Sequence, residues 1–244
     1  PMKKYGLLGK SLQHSFSPAF FKDYFQSNAI DAEYHLLELA SIEEVRPFLD
    51  GSFQGLNVTV PYKESILAYL EELTPEARAI GAVNTIAFRE GKTLGHNTDA
   101  HGFHQCIKPF LTFEHERALL LGTGGSSKAV AHVLKSLGIQ VNYVSRGSTG
   151  VNVFSYDTVN EAMLSACKLI VNCTPVGMYP LSEACPLKDL KGISERHLVV
   201  DLIYNPEETN LLHKARLQGA AVLNGLPMLH AQALKSWEFW NQLD

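Results

Sequence analysis

Three groups of residues in this chain have the types and spacing to do chemistry. The first is the glycine turn Gly122-Thr123-Gly124-Gly125, set between an apolar strand pattern over Ala118–Leu121 and a helical pattern over Ser126–Leu137. A dinucleotide site needs glycine there, so that the backbone can turn tightly and approach the pyrophosphate while the helix N-terminus offers N–H groups and a partial positive charge. Gly122, Gly124 and Gly125 meet that need, and Ser126 and Ser127 are small where the helix must pack closely. Many strand-to-helix loops carry two glycines. What singles this one out is a second strand pattern over Gln140–Ser145, which completes a β-α-β unit.

The second group follows that strand: Ser145-Arg146-Gly147. An acid at this position binds the ribose 2′-hydroxyl of NAD, whereas a basic group receives the 2′-phosphate of NADP. Arg146 is permanently charged and can fork onto a phosphate. In isolation it would read as a solvated loop arginine; here it favours NADP.

The third group is polar and lies in the first hundred residues. His14-Ser15-Phe16-Ser17-Pro18 sets two hydroxyls two residues apart, suited to a carboxylate or hydroxyl ligand. Ser17 is also expected to be an N-cap, with Pro18 at the first helical position. Thr59 falls at a strand end and Lys63 at the start of the next helix, where a positive charge opposes the helix dipole. A snorkelling surface lysine would show the same spacing. About the hairpin turn signal Glu90-Gly91, Asn84 falls opposite Asn97, with Asp99 just beyond. Asp99 either caps the following helix or joins Lys63 and Asn84 around a hydroxyl whose proton the Lys–Asp pair manages. We adopt the second reading.

The elements that must hold these groups follow from hydrophobic periodicity. Strands are expected over 4–9, Glu33–Leu39 and Gly55–Val60, the last stopped by Pro61. Helices are expected from Ser17 through Phe25, from a Ser41 cap through Leu49, and from about Lys63 to Leu70. Ala82–Phe88 and Lys92–Asn97 form the hairpin. Beyond Arg117 the alternation resumes, with further strands over Cys167–Thr174, His197–Leu202 and Ala220–Leu223. A helix capped by Thr209 runs through Leu217, and the tail from Leu226 to Leu243 is helical. Strand and helix in alternation imply an α/β fold with mostly parallel sheet.

Composition narrows the partners. A chain of 244 residues, 45% hydrophobic and 19% charged, can bury one large core or two smaller ones. A net charge of −4 offers no basic surface for nucleic acid or an anionic membrane. Cys106, Cys167, Cys173 and Cys185 show no C-x-x-C spacing, which points to reduced thiols and a cytoplasmic setting. No apolar run approaches the ~20 residues that span a bilayer, and no signal-peptide layout is expected. Of the histidines only His101 and His104 have helical ligand spacing, without a carboxylate set, so no metal is expected.

Taken together, the blocks HSFSP (14–18), GLNVTVPYK (55–63), GAVNT (81–85), GHNTD (95–99), LGTGG (121–125), VNCTPVGM (171–178), DLIYNP (201–206) and NGLPMLHAQA (224–233) resemble the shikimate dehydrogenases in order and over nearly the whole chain. The resemblance implies a substrate-binding and catalytic domain over 1–99 plus 226–244 and a Rossmann-type NADP domain over 100–225. It implies reduction of 3-dehydroshikimate to shikimate with NADPH, on the route to the aromatic amino acids. It assigns catalysis to Lys63 and Asp99, and substrate contacts to Ser15, Ser17, Thr59, Asn84, Tyr204 and Gln232. Cofactor contacts fall to the glycine turn through Ser126, and to Ser145, Arg146, Thr174, Leu202 and Gly225. The last helix must then fold back so that Gln232 reaches the substrate. The chain would work as a monomer or homodimer on a small-molecule substrate.

Two positions depart from the pattern. Gly147 stands where a threonine commonly assists the arginine, which predicts weaker selectivity for NADP over NAD. Pro227 replaces a usual glycine and stiffens the entry to the last helix. The loops between Arg146 and Cys167 are also trimmed. The rival readings are a quinate/shikimate dehydrogenase using NAD and a non-catalytic dinucleotide sensor.

Overall fold

A computed structural model describes residues 2–147 and 149–242. In chain order the strands and α-helices are β1 Lys3–Gly9, α1 Phe16–Ser27, β2 Ala32–Glu38, β3 Gly55–Val58, β4 Glu72–Leu73, α2 Pro75–Ile80, β5 Thr85–Arg89, β6 Lys92–His96 and α3 Asp99–Ile107. There follow β7 Arg117–Leu121, α4 Gly125–Ser136, β8 Gln140–Val144, β9 Val153–Phe154, α5 Glu161–Ala166, β10 Leu169–Asn172, β11 Leu198–Asp201, α6 Asn210–Leu217, β12 Ala221–Leu223 and α7 Leu226–Asn241. The chain divides into two compact units, 1–102 with 229–244, and 103–228. No helix among the described residues is long and apolar enough to cross a membrane.

The first unit holds a mixed sheet in the order β2-β1-β3-β5-β6-β4. β1 runs parallel to β2 and β3, and the β5–β6 hairpin is antiparallel, β5 also pairing antiparallel with β3. Glu90 and Gly91 both take positive φ (51° and 79°), the backbone of a type I′ turn that matches strand twist. The register Thr85↔His96 follows, which sets Asn84 and Asn97 at the open end of the hairpin.

One face of that sheet is sealed by α7. Trp237 and Trp240 pack with Tyr5, Phe21 and Phe25 in a buried aromatic cluster, and Tyr5 stacks on Trp240 at 4.9 Å between centroids. Gly55 of β3 is required here. A Cβ on it would fall 2.3 Å from the Trp240 indole, closer than carbon atoms tolerate. The last carbonyls of α7, which no helical N–H can reach, are met by Arg89. Its guanidinium donates to Phe239 O and, at 3.2 Å, to Trp240 O.

The second unit is a parallel sheet in the order β12-β11-β10-β7-β8-β9, the doubly wound order whose ligand crevice opens at the strand C-termini where direction reverses. Here that switch point lies between β7 and β10. The central strands are buried on both faces, as at β10 (Leu169 to Asn172) and β11 (Leu198 to Asp201), which is why they read as continuous apolar runs.

Four sequence expectations are corrected locally. The N-cap of α1 is Ser15, not Ser17. Proline is tolerated anywhere in the first turn, whose N–H groups lack helical partners in any case, so Pro18 does not fix the start. The helices expected over Ser41–Leu49 and Lys63–Leu70 are 3₁₀ segments, Ile42–Leu49 and Ser65–Tyr69; Pro47 lies inside the first and lacks the donor an α-helix needs. Lys63 therefore sits in a turn ahead of its helix rather than on the first residue of it. The tail helix is described to Asn241, and Leu243 lies outside the described residues.

Candidate active site

Lys63, Asn84 and Asp99 meet in the first unit. Lys63 Nζ donates to Asp99 Oδ2 at 2.6 Å, with the side chains 12% and 1% exposed. Asn84 Nδ2 donates to the other oxygen, Oδ1, at 3.0 Å. Backbone pairing explains the convergence. Val83 N–H donates to Lys63 O, Val58 N–H to Asn84 O and Asn84 N–H to His96 O, which ties the turn after β3 to both sides of the hairpin end. Asp99 stands at the first residue of α3, yet the side-chain cap there is Asn97, whose Oδ1 accepts from Ala100 N–H at 3.3 Å. The carboxylate of Asp99 is directed at Lys63 and Asn84 instead.

Behind this trio runs a buried polar network that the sequence did not disclose. Thr98 N–H donates to Asn84 Oδ1 at 2.8 Å, and Asn84 Nδ2 also reaches Thr98 Oγ1 at 3.0 Å. Thr98 Oγ1 lies 3.2 Å from Ser236 Oγ, which lies 2.7 Å from Thr85 Oγ1. Asn57 Nδ2 donates to Ser236 Oγ and Thr85 Oγ1, both at 3.0 Å. Its Oδ1 accepts from Tyr34 O–H at 2.8 Å, and Tyr34 in turn is hydrogen-bonded by Ser17. Burial pushes the Tyr34 hydroxyl well above its ordinary range, against that bond, so it stays a neutral donor. The hydroxyl of Ser17, not needed as a cap, is thus joined by side-chain hydrogen bonds to Lys63.

The remaining residues expected at the substrate are placed as follows. Ser15 and Ser17 are half-buried at the start of α1. Thr59 lies just past β3, its N–H on Leu8 O, and its methyl would block any side chain at Gly9. Gln232 on α7 carries a buried Oε1 with no hydrogen-bond partner among the described residues. A buried acceptor left so costs roughly 1–3 kcal/mol, a cost that a ligand donor offsets. Tyr204 stands in the second unit, half-buried beyond β11, and burial raises its hydroxyl pKa.

In the second unit the expected cofactor residues gather at the C-terminal ends of the parallel strands. Gly122 follows β7 with φ 101°, and a Cβ there would lie 2.9 Å from Thr174 Cγ2 beyond β10; the two flank the switch point. Thr123, Gly124 and Gly125 lead into α4. Gly124 is its N-cap and has no side chain to cap the helix, no acid occupies its first turn, and a Cβ on Gly124 would meet nothing within 4 Å. Ser127 Oγ ties the turn back to Gly122 O at 2.8 Å, next to the half-buried Ser126. Ser145 and the exposed Arg146 follow β8. Leu202 follows β11 and Gly225 follows β12; a Cβ on Gly225 would be 1.9 Å from Leu202 O. An open glycine turn, a helix N-terminus whose N-cap is a glycine and an exposed guanidinium fit the diphosphate and 2′-phosphate of NADP.

These loops are held by Asp201, fully buried at the end of β11. It accepts from Thr209 O–H (2.7 Å), Ile203 N–H (3.1 Å) and Asn172 Nδ2 (3.1 Å). Asn172 Oδ1 then accepts from both the N–H and O–H of Thr174. Burial pushes the Asp201 carboxyl up to about 6, against the lowering effect of these bonds. Among the described residues no cluster of three or more His, Cys, Asp or Glu could hold a metal ion.

Residues 7–86 match the family model described as shikimate dehydrogenase substrate binding domain. The shikimate dehydrogenase (NADP(+)) of Symbiobacterium thermophilum is 36% identical over 263 residues, spanning 98% of this chain and 89% of that protein. The solved shikimate 5-dehydrogenase of Thermus thermophilus, in complex with NADP(H) and shikimate, matches with a TM-score of 0.86 at 33% identity, over 99% of this chain and 94% of its own. The quinate dehydrogenase of Corynebacterium glutamicum in complex with NAD matches with a TM-score of 0.87 at 28% identity and the same coverage.

Proposed function

The chain belongs to the shikimate dehydrogenase family, and from that premise we propose how its own residues perform the family's reaction. The protein is an NADP-dependent oxidoreductase of the shikimate pathway that reduces 3-dehydroshikimate to shikimate, reversibly. When bound, NADPH supplies the hydride that goes to the C3 carbonyl carbon.

Lys63 hydrogen-bonds the reacting oxygen and delivers the proton that makes it a hydroxyl; in the reverse direction it takes that proton back. Asp99 orients the ammonium and balances its charge in a site largely shut off from water. Asn84 fixes the carboxylate from its other oxygen. Ser15 and Ser17 bind the ring carboxylate at the far end, Thr59 and Tyr204 bind ring hydroxyls, and the unpartnered Oε1 of Gln232 accepts from another. The α4 N-terminus holds the diphosphate and Arg146 the 2′-phosphate, while Thr174, Leu202 and Gly225 line the nicotinamide end.

The buried Lys63–Asp99 pair at 2.6 Å carries this reading, because a non-catalytic sensor has no use for a proton donor at that place. The test is the absorbance of the reduced nicotinamide, with shikimate and quinate each paired with NADP⁺ and NAD⁺. Turnover is expected to be fastest with shikimate and NADP⁺. Preference for quinate with NAD⁺ would move the protein to the quinate branch of the family, and no turnover with any pair would leave a binding protein.

A further inference from the structure

Ser236 is fully buried on α7, one helical turn beyond Gln232 and therefore on the same face. Its hydroxyl has a single proton and three polar neighbours, all on other elements: Asn57 on β3, Thr85 on β5 and Thr98 just before α3. Two arms of the network meet at this oxygen. One leads through Asn57 and Tyr34 to Ser17; the other leads through Thr98 and Asn84 to Asp99 and Lys63.

We propose that Ser236 is a positioning residue for the reaction, setting the orientation of the Asp99–Lys63 pair through Thr98 and Asn84. The inference rests on the reading that Lys63 and Asp99 act on the substrate oxygen. The neighbours of Ser236 are not orphaned by its loss: Asn57 Nδ2 keeps Asn84 O and Thr85 Oγ1, and Thr98 keeps Asn84. Removing the hydroxyl therefore leaves the fold standing but gives Thr98 freedom to shift. Asn84 then moves with it, because Thr98 holds the amide from both its N–H and its hydroxyl side. A shift of the general acid falls on the transition state more than on substrate binding.

The experiment compares steady-state oxidation of shikimate by NADP⁺ in the wild type, Ser236→Ala, Ser236→Cys and Trp237→Phe. Ser236→Ala is expected to lower kcat on the order of tenfold, the rate equivalent of one net hydrogen bond, with KM for shikimate within about twofold. Ser236→Cys keeps a weak donor in nearly the same volume and is expected to fall between; it gives the same reading should the alanine variant fold poorly. Trp237→Phe, which disturbs α7 packing away from the network, is expected to lower the melting temperature and leave kcat unchanged. An active wild type with unchanged kcat in Ser236→Ala overturns the inference, as does an equal loss of kcat in Trp237→Phe. An inactive wild type overturns the functional reading and this inference with it.

Discussion

Lys63 and Asp99 are 36 residues apart in sequence, yet the ammonium lies 2.6 Å from a carboxylate oxygen that is almost wholly withdrawn from solvent. Loss of the lysine leaves that carboxylate buried without a counter-charge, at a cost of about 3–5 kcal/mol. Lys63→Ala is therefore expected to lose stability as well as activity. Asp99→Asn keeps the shape and an oxygen for Asn84 Nδ2 but removes the negative charge that faces Lys63, so it too is expected to lose some stability. Both are expected to cut kcat by roughly 10²–10⁴-fold with a much smaller change in KM, as read by initial rates on protein checked for folding by circular dichroism. Unchanged kcat in Lys63→Ala would remove it from the mechanism.

Arg146 is the cation expected to tell NADP from NAD. Arg146→Ala should raise the KM for NADP⁺ by about 10–100-fold, the loss of a charge-assisted phosphate contact, and leave that for NAD⁺ nearly unchanged. The neighbouring Gly147 has room for a side chain, since a Cβ there meets nothing within 4 Å. Gly147→Thr is expected to sharpen NADP preference by several-fold, about one net hydrogen bond. Equal effects on both cofactors would place Arg146 outside the 2′-phosphate site.

Tyr34→Phe separates Ser17 from the rest of the network. The change leaves Asn57 Oδ1 buried without its donor, at about 1–3 kcal/mol of stability, and releases the Ser17 hydroxyl. If Ser17 binds the substrate carboxylate, KM for shikimate should rise several-fold while kcat changes little. A kcat loss as large as that of Asp99→Asn would contradict this division of labour.

Stability against pH carries two opposing signatures from the second unit. Burial raises Asp201 from an ordinary 3.8 to about 6, so its contribution is full below pH ~4 and is lost as pH rises through 6, roughly 3 kcal/mol in all. His197 is opposite in sign. Burial lowers its pKa, with Nδ1 near Ser194 N–H and Nε2 near Leu164 O, so it favours stability above about 6.5 and withdraws it as pH falls. In urea titrations at pH 4.5 and 7.5, Asp201→Asn is expected to gain on the wild type at the higher pH. A constant difference between the two would mean that Asp201 does not titrate in this range.

Where sequence order sets geometry, the sequence was legible. A two-residue turn at Glu90-Gly91 fixes every pair of the hairpin, so the approach of Asn84 to Asp99 followed from counting. Gly122 and the apolar strands of the second sheet were legible because few residues suit a tight turn or a strand buried on both faces. Thr98 and Ser236 were not, since a buried hydroxyl among scattered partners leaves no periodic trace. The misplaced cap at Ser17 has a physical source: Ser15 and Ser17 are chemically equal candidates two residues apart, and the backbone turns helical at Phe16 without a side-chain cap bond from Ser15. The short helix α2 had a readable start in Thr74-Pro75-Glu76, where Thr74 Oγ1 accepts from Ala77 N–H, but six residues are too few to show a period.

The first unit is interrupted in sequence by the whole of the second, and it takes Gln232, Ser236, Trp237 and Trp240 from the last helix. During synthesis, then, β1 to β6 emerge early with the Tyr5–Phe21–Phe25 surface uncovered, while the second unit can close its sheet as soon as β12 is made. The ribosome delivers the aromatic cover and the hub of the polar network last. Vectorial folding of this chain is therefore expected to complete the unit that closes with β12 first and the unit that holds Lys63 and Asp99 second.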